Sequence, residues 1–253
     1  MTAQPATLQR EGGVTIAYHH TPGNGPGVIF CPGFKSDMTG TKAQAFEASC
    51  RADGQQYTRF DYQGHGQSSG EFVDGTIGDW LDDTLAVLDT VTDGPQVVVG
   101  SSMGAWIGLL AAQARPGKVA GFVGIAPAVD FTQRFWERIG DDIRRQLETD
   151  GVWMRPSEYD PEGYPMTLKL IEEGRRHLLM PGPITFDGKV HLLHGQQDEA
   201  VPWRRSLEIA DALSSQDVTI TLIKDGDHRL SRAQDIDRLC RAVSDVTRAL
   251  GDA

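Results

Sequence analysis

A serine framed by two glycines, Gly100-Ser101-Ser102-Met103-Gly104, is the stretch of this sequence best suited to covalent chemistry. It follows the apolar run Val97-Val98-Val99 and precedes Ala105-Trp106-Ile107-Gly108-Leu109-Leu110-Ala111-Ala112, so the pattern predicts a strand, a sharp turn and a helix. In such a nucleophile elbow the central residue takes a strained backbone conformation, and small residues flank it because strand and helix crowd together. The frame set by Gly100 and Gly104 selects Ser102 over its neighbour Ser101.

A serine hydroxyl is a poor nucleophile near neutral pH until a base takes its proton, so Ser102 requires an imidazole within reach. Of the seven histidines, His228 in Lys224-Asp225-Gly226-Asp227-His228-Arg229 follows the last predicted strand, and elbow sites run serine, acid, histidine along the chain. His19 and His20 fall on an edge hairpin, His191 on a strand and His177 in an insert. His65 is expected to tie down a glycine loop, and His194 to act as a structural hydrogen bonder. The acid must be a buried carboxylate that orients the imidazole and stabilises its cation. Asp198 fits, in the turn His194-Gly195-Gln196-Gln197-Asp198-Glu199 after a strand; Glu199 is expected to point away, and Asp130, after the preceding strand, is the alternative. Donors for a developing oxyanion are expected from two backbone N–H groups, those of Met103 in the elbow and Phe34 in the loop after an earlier strand.

The elements that must hold these residues alternate. Strands are predicted at Leu8–Arg10 and Val14–Tyr18 as an edge hairpin, then at Val28–Cys31, Tyr57–Asp61, Val97–Val99, Val119–Ile125, Val190–Gly195 and Val218–Ile223. Helices are predicted at Lys42–Ala52 with Thr41 as cap, Ile77–Val91, the elbow helix, Trp203–Leu213 and Ser231–Leu250. Strands alternating with helices imply an α/β architecture, a mostly parallel sheet covered on both faces, with its site at the carboxyl ends of the strands. Ser102, Phe34, Asp198 and His228 all sit just past predicted strand ends. The stretch from about residue 130 to 183 breaks the alternation. It is too long for a crossover and reads as an inserted helical lid on one domain spanning residues 1–253. Helical patterns run near Phe131–Leu147 and Met166–Leu178, joined by an irregular segment with Trp153, Tyr159 and Tyr164. Phe131, Phe135, Trp136, Trp153 and Leu178 either line an acyl pocket or pack the lid onto the sheet. Arginines 134, 138, 144, 145, 155, 175 and 176 either pair a substrate carboxylate, such as a glucuronate, or cover solvated helix faces.

The chain of 253 residues is 39% hydrophobic and 23% charged, with a formal net charge of −11, a balance that disfavours nucleic acid and anionic membrane surfaces. The cysteines, Cys31, Cys50 and Cys240, are odd in number and unpatterned, which argues against a disulfide framework or zinc site. No run of about 18 apolar residues is present to span a membrane. Met1–Thr7 has no signal-like apolar core, and the expected compartment is a reducing cytoplasm. No metal or cofactor is called for.

On these motifs the sequence resembles the α/β-hydrolase superfamily over nearly its full length. Further likeness, in Gly40-Thr41-Lys42-Ala43, Arg59-Phe60-Asp61-Tyr62, Asp93-Gly94-Pro95-Gln96, Gly100 to Trp106, Ala114-Arg115-Pro116, Gly151-Val152-Trp153, Val201-Pro202-Trp203 and Asp227-His228-Arg229, is to its mitochondrial abhydrolases that are acyl-glucuronide esterases and palmitoyl-protein thioesterases. The resemblance implies Ser102 as nucleophile, Asp198 as acid and His228 as base, acting on small-molecule or lipid-like acyl substrates. Measured against that group no transit segment is expected at the N-terminus, and Phe34 and the lid differ in detail. The alternatives are a serine peptidase of the same fold and a non-catalytic hydrolase-like binding protein.

Overall fold

Alternation of strand side chains decides the layering. Val97 and Val99 enter one buried cluster and Val98 the other; Val28 and Phe30 divide in the same way from Ile29 and Cys31, as do Val123 and Ile125 from Phe122. Strands buried on both faces need helices on both sides, and parallel strands need them as crossovers. In the computed structural model, which describes residues 4–157 and 161–251, the chain folds through β1 (Ala6–Gln9), β2 (Thr15–Thr21), β3 (Asn24–Cys31), α1 (Thr41–Ala52), β4 (Gln55–Phe60), α2 (Ile77–Thr90), β5 (Gln96–Ser101), α3 (Met103–Ala114) and β6 (Val119–Ile125). An insert follows, with α4 (Phe131–Arg138), α5 (Asp141–Asp150), β7 (Val152–Arg155), β8 (Tyr164–Thr167) and α6 (Leu168–Gly174). The alternation then resumes with β9 (Lys189–Gly195), α7 (Arg204–Ala212), β10 (Val218–Ile223) and α8 (Ala233–Gly251).

Eight strands make one sheet in the order β1-β2-β4-β3-β5-β6-β9-β10. From β4 to β10 all neighbours are parallel, and the β1–β2 hairpin adds an antiparallel edge. This is the mostly parallel α/β sheet expected from the alternation, in the α/β-hydrolase arrangement that the resemblance implies. On one face α1 and α8 supply Ala43, Phe46, Leu239, Val243 and Val246. On the other, α2, α3 and α7 supply Trp80, Leu88, Trp106, Leu109 and Ile209.

Several boundaries differ from expectation, and those nearest the site and the insert have local reasons. β3 begins at Asn24 rather than Val28, with an irregular register between the two, because the Gly25-Pro26-Gly27 segment still pairs at its ends. Gly40, not Thr41, caps α1. Inside the insert the first helical pattern breaks at Ile139-Gly140, where Gly140 caps α5 with extended backbone. Met166 lies in β8, which pairs with β7 as a separate antiparallel hairpin. Tyr159 falls outside the described residues.

The closest approach in the core lies where α3 leaves β5. A Cβ on Gly104 would stand 2.0 Å from the Cys31 carbonyl oxygen and 2.5 Å from that of Pro32, and a Cβ on Gly100 would stand 2.4 Å from Ala105 Cα. Neither backbone can yield without moving the sheet. Gly104→Ala is expected to destabilise the protein by about 2–3 kcal/mol, the range for overpacking, lowering Tm by roughly 5–10 °C for a chain of this size. Gly117→Ala, where a Cβ meets nothing within 4 Å, is the control. Equal melting of the two variants would overturn the steric account.

Candidate active site

Ser102 sits at φ 54°, ψ −116°, a region L-residues enter only when their surroundings hold them there. Its N–H donates to the Ile125 carbonyl (2.9 Å), and its own carbonyl accepts from Ala105 and Ala128 N–H (3.1 Å each). β6 and the loop after it therefore clamp the turn, and the hydroxyl is presented at the carboxyl end of β5.

The structure brings Ser102, His228 and Asp198 together. Ser102 Oγ lies 3.1 Å from His228 Nε2, and His228 Nδ1 lies 2.7 Å from Asp198 Oδ2. Asp198 follows β9 and His228 follows β10; their loops interlock, since Gln197 N–H donates to Gly226 O (2.9 Å) and a Cβ on Gly195 would stand 2.2 Å from that same oxygen. The Asp198 side chain is fully buried. Its Oδ1 accepts from Ala200 N–H (2.9 Å) and Val201 N–H (2.7 Å), and its Oδ2 takes a second imidazole, His194 Nε2, at 3.0 Å. Burial alone would raise this carboxyl, but hydrogen bonds from His194, His228 and Val201 N–H outweigh it and hold Asp198 well below the usual carboxylate range. Asp130, the alternative acid, is engaged elsewhere: its carboxylate accepts from Leu179 and Met180 N–H, both at 2.9 Å. Glu199 is exposed.

The loop after β3 carries Phe34 beside the serine, for a Cβ on Gly33 would lie 3.5 Å from Ser102 Cβ. Two buried groups fix this loop. Asp61 Oδ1 accepts from Met38 N–H (2.6 Å) while its Oδ2 accepts from Gln67 N–H (2.8 Å) in the glycine loop after β4. Burial pushes Asp61 above its ordinary value against the pull of those donors. His65 Nδ1 lies 3.2 Å from Gln63 O, an acceptor, so the proton is assigned to Nδ1 and the bare Nε2 accepts from Lys35 N–H (3.3 Å). His65 does tie its loop down, as its position suggested, and the tie extends to the residue after Phe34.

A cleft of about 1040 Å³ opens over Ser102, His228 and Phe34. Of the insert aromatics, Phe131, Phe135 and Tyr164 line it. Trp153 stacks on Phe135 (5.7 Å between ring centres), and the guanidinium groups of Arg144 and Arg175 lie over the Trp136 ring, so these two pack the insert instead. Arginines 134, 138 and 155 reach the cleft, whereas Arg144 and Arg145 pair with Asp141 and Asp142. Lys42, also at the cleft, was not singled out from the sequence. Its Nζ donates to Arg229 O (2.7 Å), beside His228, and burial with the nearby Arg229 charge lowers it to about 8. The signal available was a lysine in the first turn of a helix, where the dipole opposes it.

The Hydrolase_4 family model, described as serine aminopeptidase, S33, matches residues 26–159. With that match over more than half its length, the chain belongs to the α/β-hydrolase superfamily. Among known proteins it is similar to the palmitoyl-protein thioesterase ABHD10, mitochondrial, of Mus musculus, with 42% identity over 240 residues, 94% of this chain and 81% of that one. The Homo sapiens counterpart is 40% identical over 94% of this chain and 78% of its own length. The solved structure of alpha/beta hydrolase domain-containing protein 10 from mouse superposes with a TM-score of 0.91 at 42% identity, covering 96% of this chain and 98% of that one. Est1E from Butyrivibrio proteoclasticus, solved with ferulic acid, shares the fold at 20% identity and TM-score 0.72, over 92% and 94% of the two chains. By these relationships the chain is an enzyme of the ester and thioester hydrolase class. They also correct the cytoplasmic expectation, because the thioesterase relatives are mitochondrial proteins. Free thiols at Cys31, Cys50 and Cys240 fit a reducing environment but do not distinguish one such compartment from another. Among the described residues no helix is long and apolar enough to cross a membrane.

Burial lowers His65 to about 4 from an ordinary 6.5. The unfolded chain therefore binds this proton first as pH falls. The contribution of His65 is complete above about 6.5, declines between 6.5 and 4, and amounts to roughly 3 kcal/mol. Urea unfolding across that window is expected to be less pH-dependent in His65→Gln, whose amide oxygen can still accept from Lys35 N–H. Parallel pH curves for the two proteins would count against neutral His65 as the tie.

Proposed function

We propose that this protein is a serine hydrolase that cleaves carboxylic esters and thioesters through an acyl-enzyme, with Ser102 as nucleophile, His228 as base and Asp198 as acid. The observation that carries the reading is the unbroken string from Ser102 Oγ through His228 to the buried Asp198. His228 takes the Ser102 proton as Oγ attacks the acyl carbon, and Asp198 stabilises the resulting imidazolium. The oxyanion is held by the N–H groups of Met103, at the positive end of α3, and Phe34. As the tetrahedral centre collapses, His228 returns the proton to the leaving oxygen or sulfur. Water, deprotonated by the same imidazole, then hydrolyses the acyl-Ser102 ester.

Two features of the cleft bear on the substrate. Phe131 and Phe135, continued by Phe34 and Tyr164, form an apolar wall suited to an acyl chain. Arg134, Arg138 and Arg155 add cationic groups that suit an acidic leaving group such as glucuronate. Similarity to palmitoyl-protein thioesterases supports S-acyl substrates as the other candidate class. The whole chain then acts as one hydrolase domain, with the insert as cover. The peptidase reading, which the family description favours, predicts aminoacyl p-nitroanilides as better substrates than esters. A binding module predicts no covalent chemistry.

Wild-type protein is expected to be labelled by a fluorophosphonate and to turn over p-nitrophenyl esters, acyl-CoA or S-acyl peptides, with chain length setting preference. Ser102→Ala abolishes labelling, and Ser102→Ala or His228→Ala costs about 10⁶ in kcat, the scale seen for subtilisin in mutational dissection. Asp198→Asn costs about 10⁴. Asp130→Asn leaves kcat within a fewfold and lowers Tm instead. An unlabelled wild type, or Asp130→Asn inactivating the enzyme as fully as Asp198→Asn, would sink the assignment.

A further inference from the structure

Asp198 Oδ2 is shared by two imidazoles, and only His228 has a part in the chemistry above. The second, His194, is fully buried on β9. Its Nε2 lies 3.0 Å from both Asp198 Oδ2 and the Val201 carbonyl oxygen, while its Nδ1 lies 2.8 Å from Ser206 Oγ on α7. Asp198 Oδ2 and Val201 O are acceptors, so Nε2 carries a proton and donates. Ser206, which is itself fully buried, supplies a hydroxyl proton to the remaining nitrogen. A neutral imidazole satisfies every one of these contacts with one tautomer, and the opposite tautomer would set a lone pair against two oxygens.

From this we infer that His194 is a positioning residue for the hydrolysis. It holds the Asp198 carboxylate from the side away from His228, so that Oδ2 stays in line with His228 Nδ1. The inference rests on the triad reading above. Oδ1 is pinned by Ala200 and Val201 N–H, and both belong to the turn that carries Asp198. His194 ties the carboxylate to β9, the rigid strand before the turn, and through Ser206 to α7. Its bond to Val201 O fixes the same turn a second time. Without the Nε2 donor, Oδ2 keeps His228 as its one partner among the described residues, and the carboxylate is held only by its own turn, so it shifts whenever that turn shifts. The His228 ring then loses the orientation that points Nε2 at Ser102.

Two substitutions separate this role from space filling. In His194→Gln the side-chain amide can reach the place of Nε2, keeping the donor to Asp198 and giving up Ser206. In His194→Asn the amide matches Nδ1, keeping Ser206 and giving up Asp198. His194→Gln is expected within about threefold of wild-type kcat. His194→Asn is expected to lose about 10- to 100-fold in kcat with KM within about twofold, the scale for outer partners that orient a reacting group, and to slow fluorophosphonate labelling of Ser102 in proportion. Equal losses in the two variants, or losses that follow Tm rather than the Asp198 donor, would overturn the inference. Nitrogen-15 spectra of the histidines in the unmodified enzyme test it without any variant: the expected His194 species is protonated on Nε2 alone, and protonation on Nδ1 alone would overturn it. Wild-type labelling that is lost in Ser102→Ala is the prior control, so failure of the triad reading is seen separately from failure of this one.

Discussion

The crossing of α3 over the end of β3 is the constraint on which the rest of the molecule turns. Ser102 can occupy its strained conformation because its N–H and carbonyl are held by Ile125, Ala105 and Ala128, and the helix can start there because Gly104 leaves room for the Cys31 and Pro32 carbonyls. Strain at one residue is thus supported by contacts from β3, β6 and the loop after β6. The same crossing sets the N-terminus of α3, where a helix presents its backbone N–H groups, beside the hydroxyl.

Around this point the rim of the sheet is organised by buried aspartates that each bind two backbone N–H groups. Asp61 joins the loop after β3 to the loop after β4, Asp130 joins the start of the insert to its end, and Asp198 orders its own turn. Each closes a loop that would otherwise leave amide groups unpaired near the core, where such groups are costly. Burial opposes ionisation in all three, yet only Asp198 has imidazole partners and is held below the ordinary carboxylate value. That difference sets Asp198 apart from the two carboxylates that bind backbone N–H groups alone, and it fits the acid role proposed for it.

The parts of the site that could be read in the sequence are those whose signal is local. Gly100 to Gly104 lies between an apolar strand and a helix, and Asp198 and His228 each follow a strand, so their convergence follows from the parallel sheet. The β7–β8 hairpin gave no such signal, because four residues such as Val152-Trp153-Met154-Arg155, half exposed and lacking strict alternation, look the same in a loop. Gly140 hid a break inside a continuous helical spacing. Trp136 and Phe135 are neighbours with opposite fates, one covered by guanidinium groups and the other on the cleft, and a helix wheel cannot tell which flank of a short helix meets a cavity. The second imidazole on Asp198 needs three dimensions, since the sequence separation of four between His194 and Asp198 says nothing about direction in a turn.

Asp130 ties residue 130 to Leu179 and Met180 through one carboxylate, so the entry and exit of the insert meet at a single root. Between those ends Leu147, Met166, Leu170 and Ile171 join the buried cluster that holds Trp80 and Trp106, so the insert is rooted at one point and welded along its inner face, and a change in its helices is felt in the layer beneath.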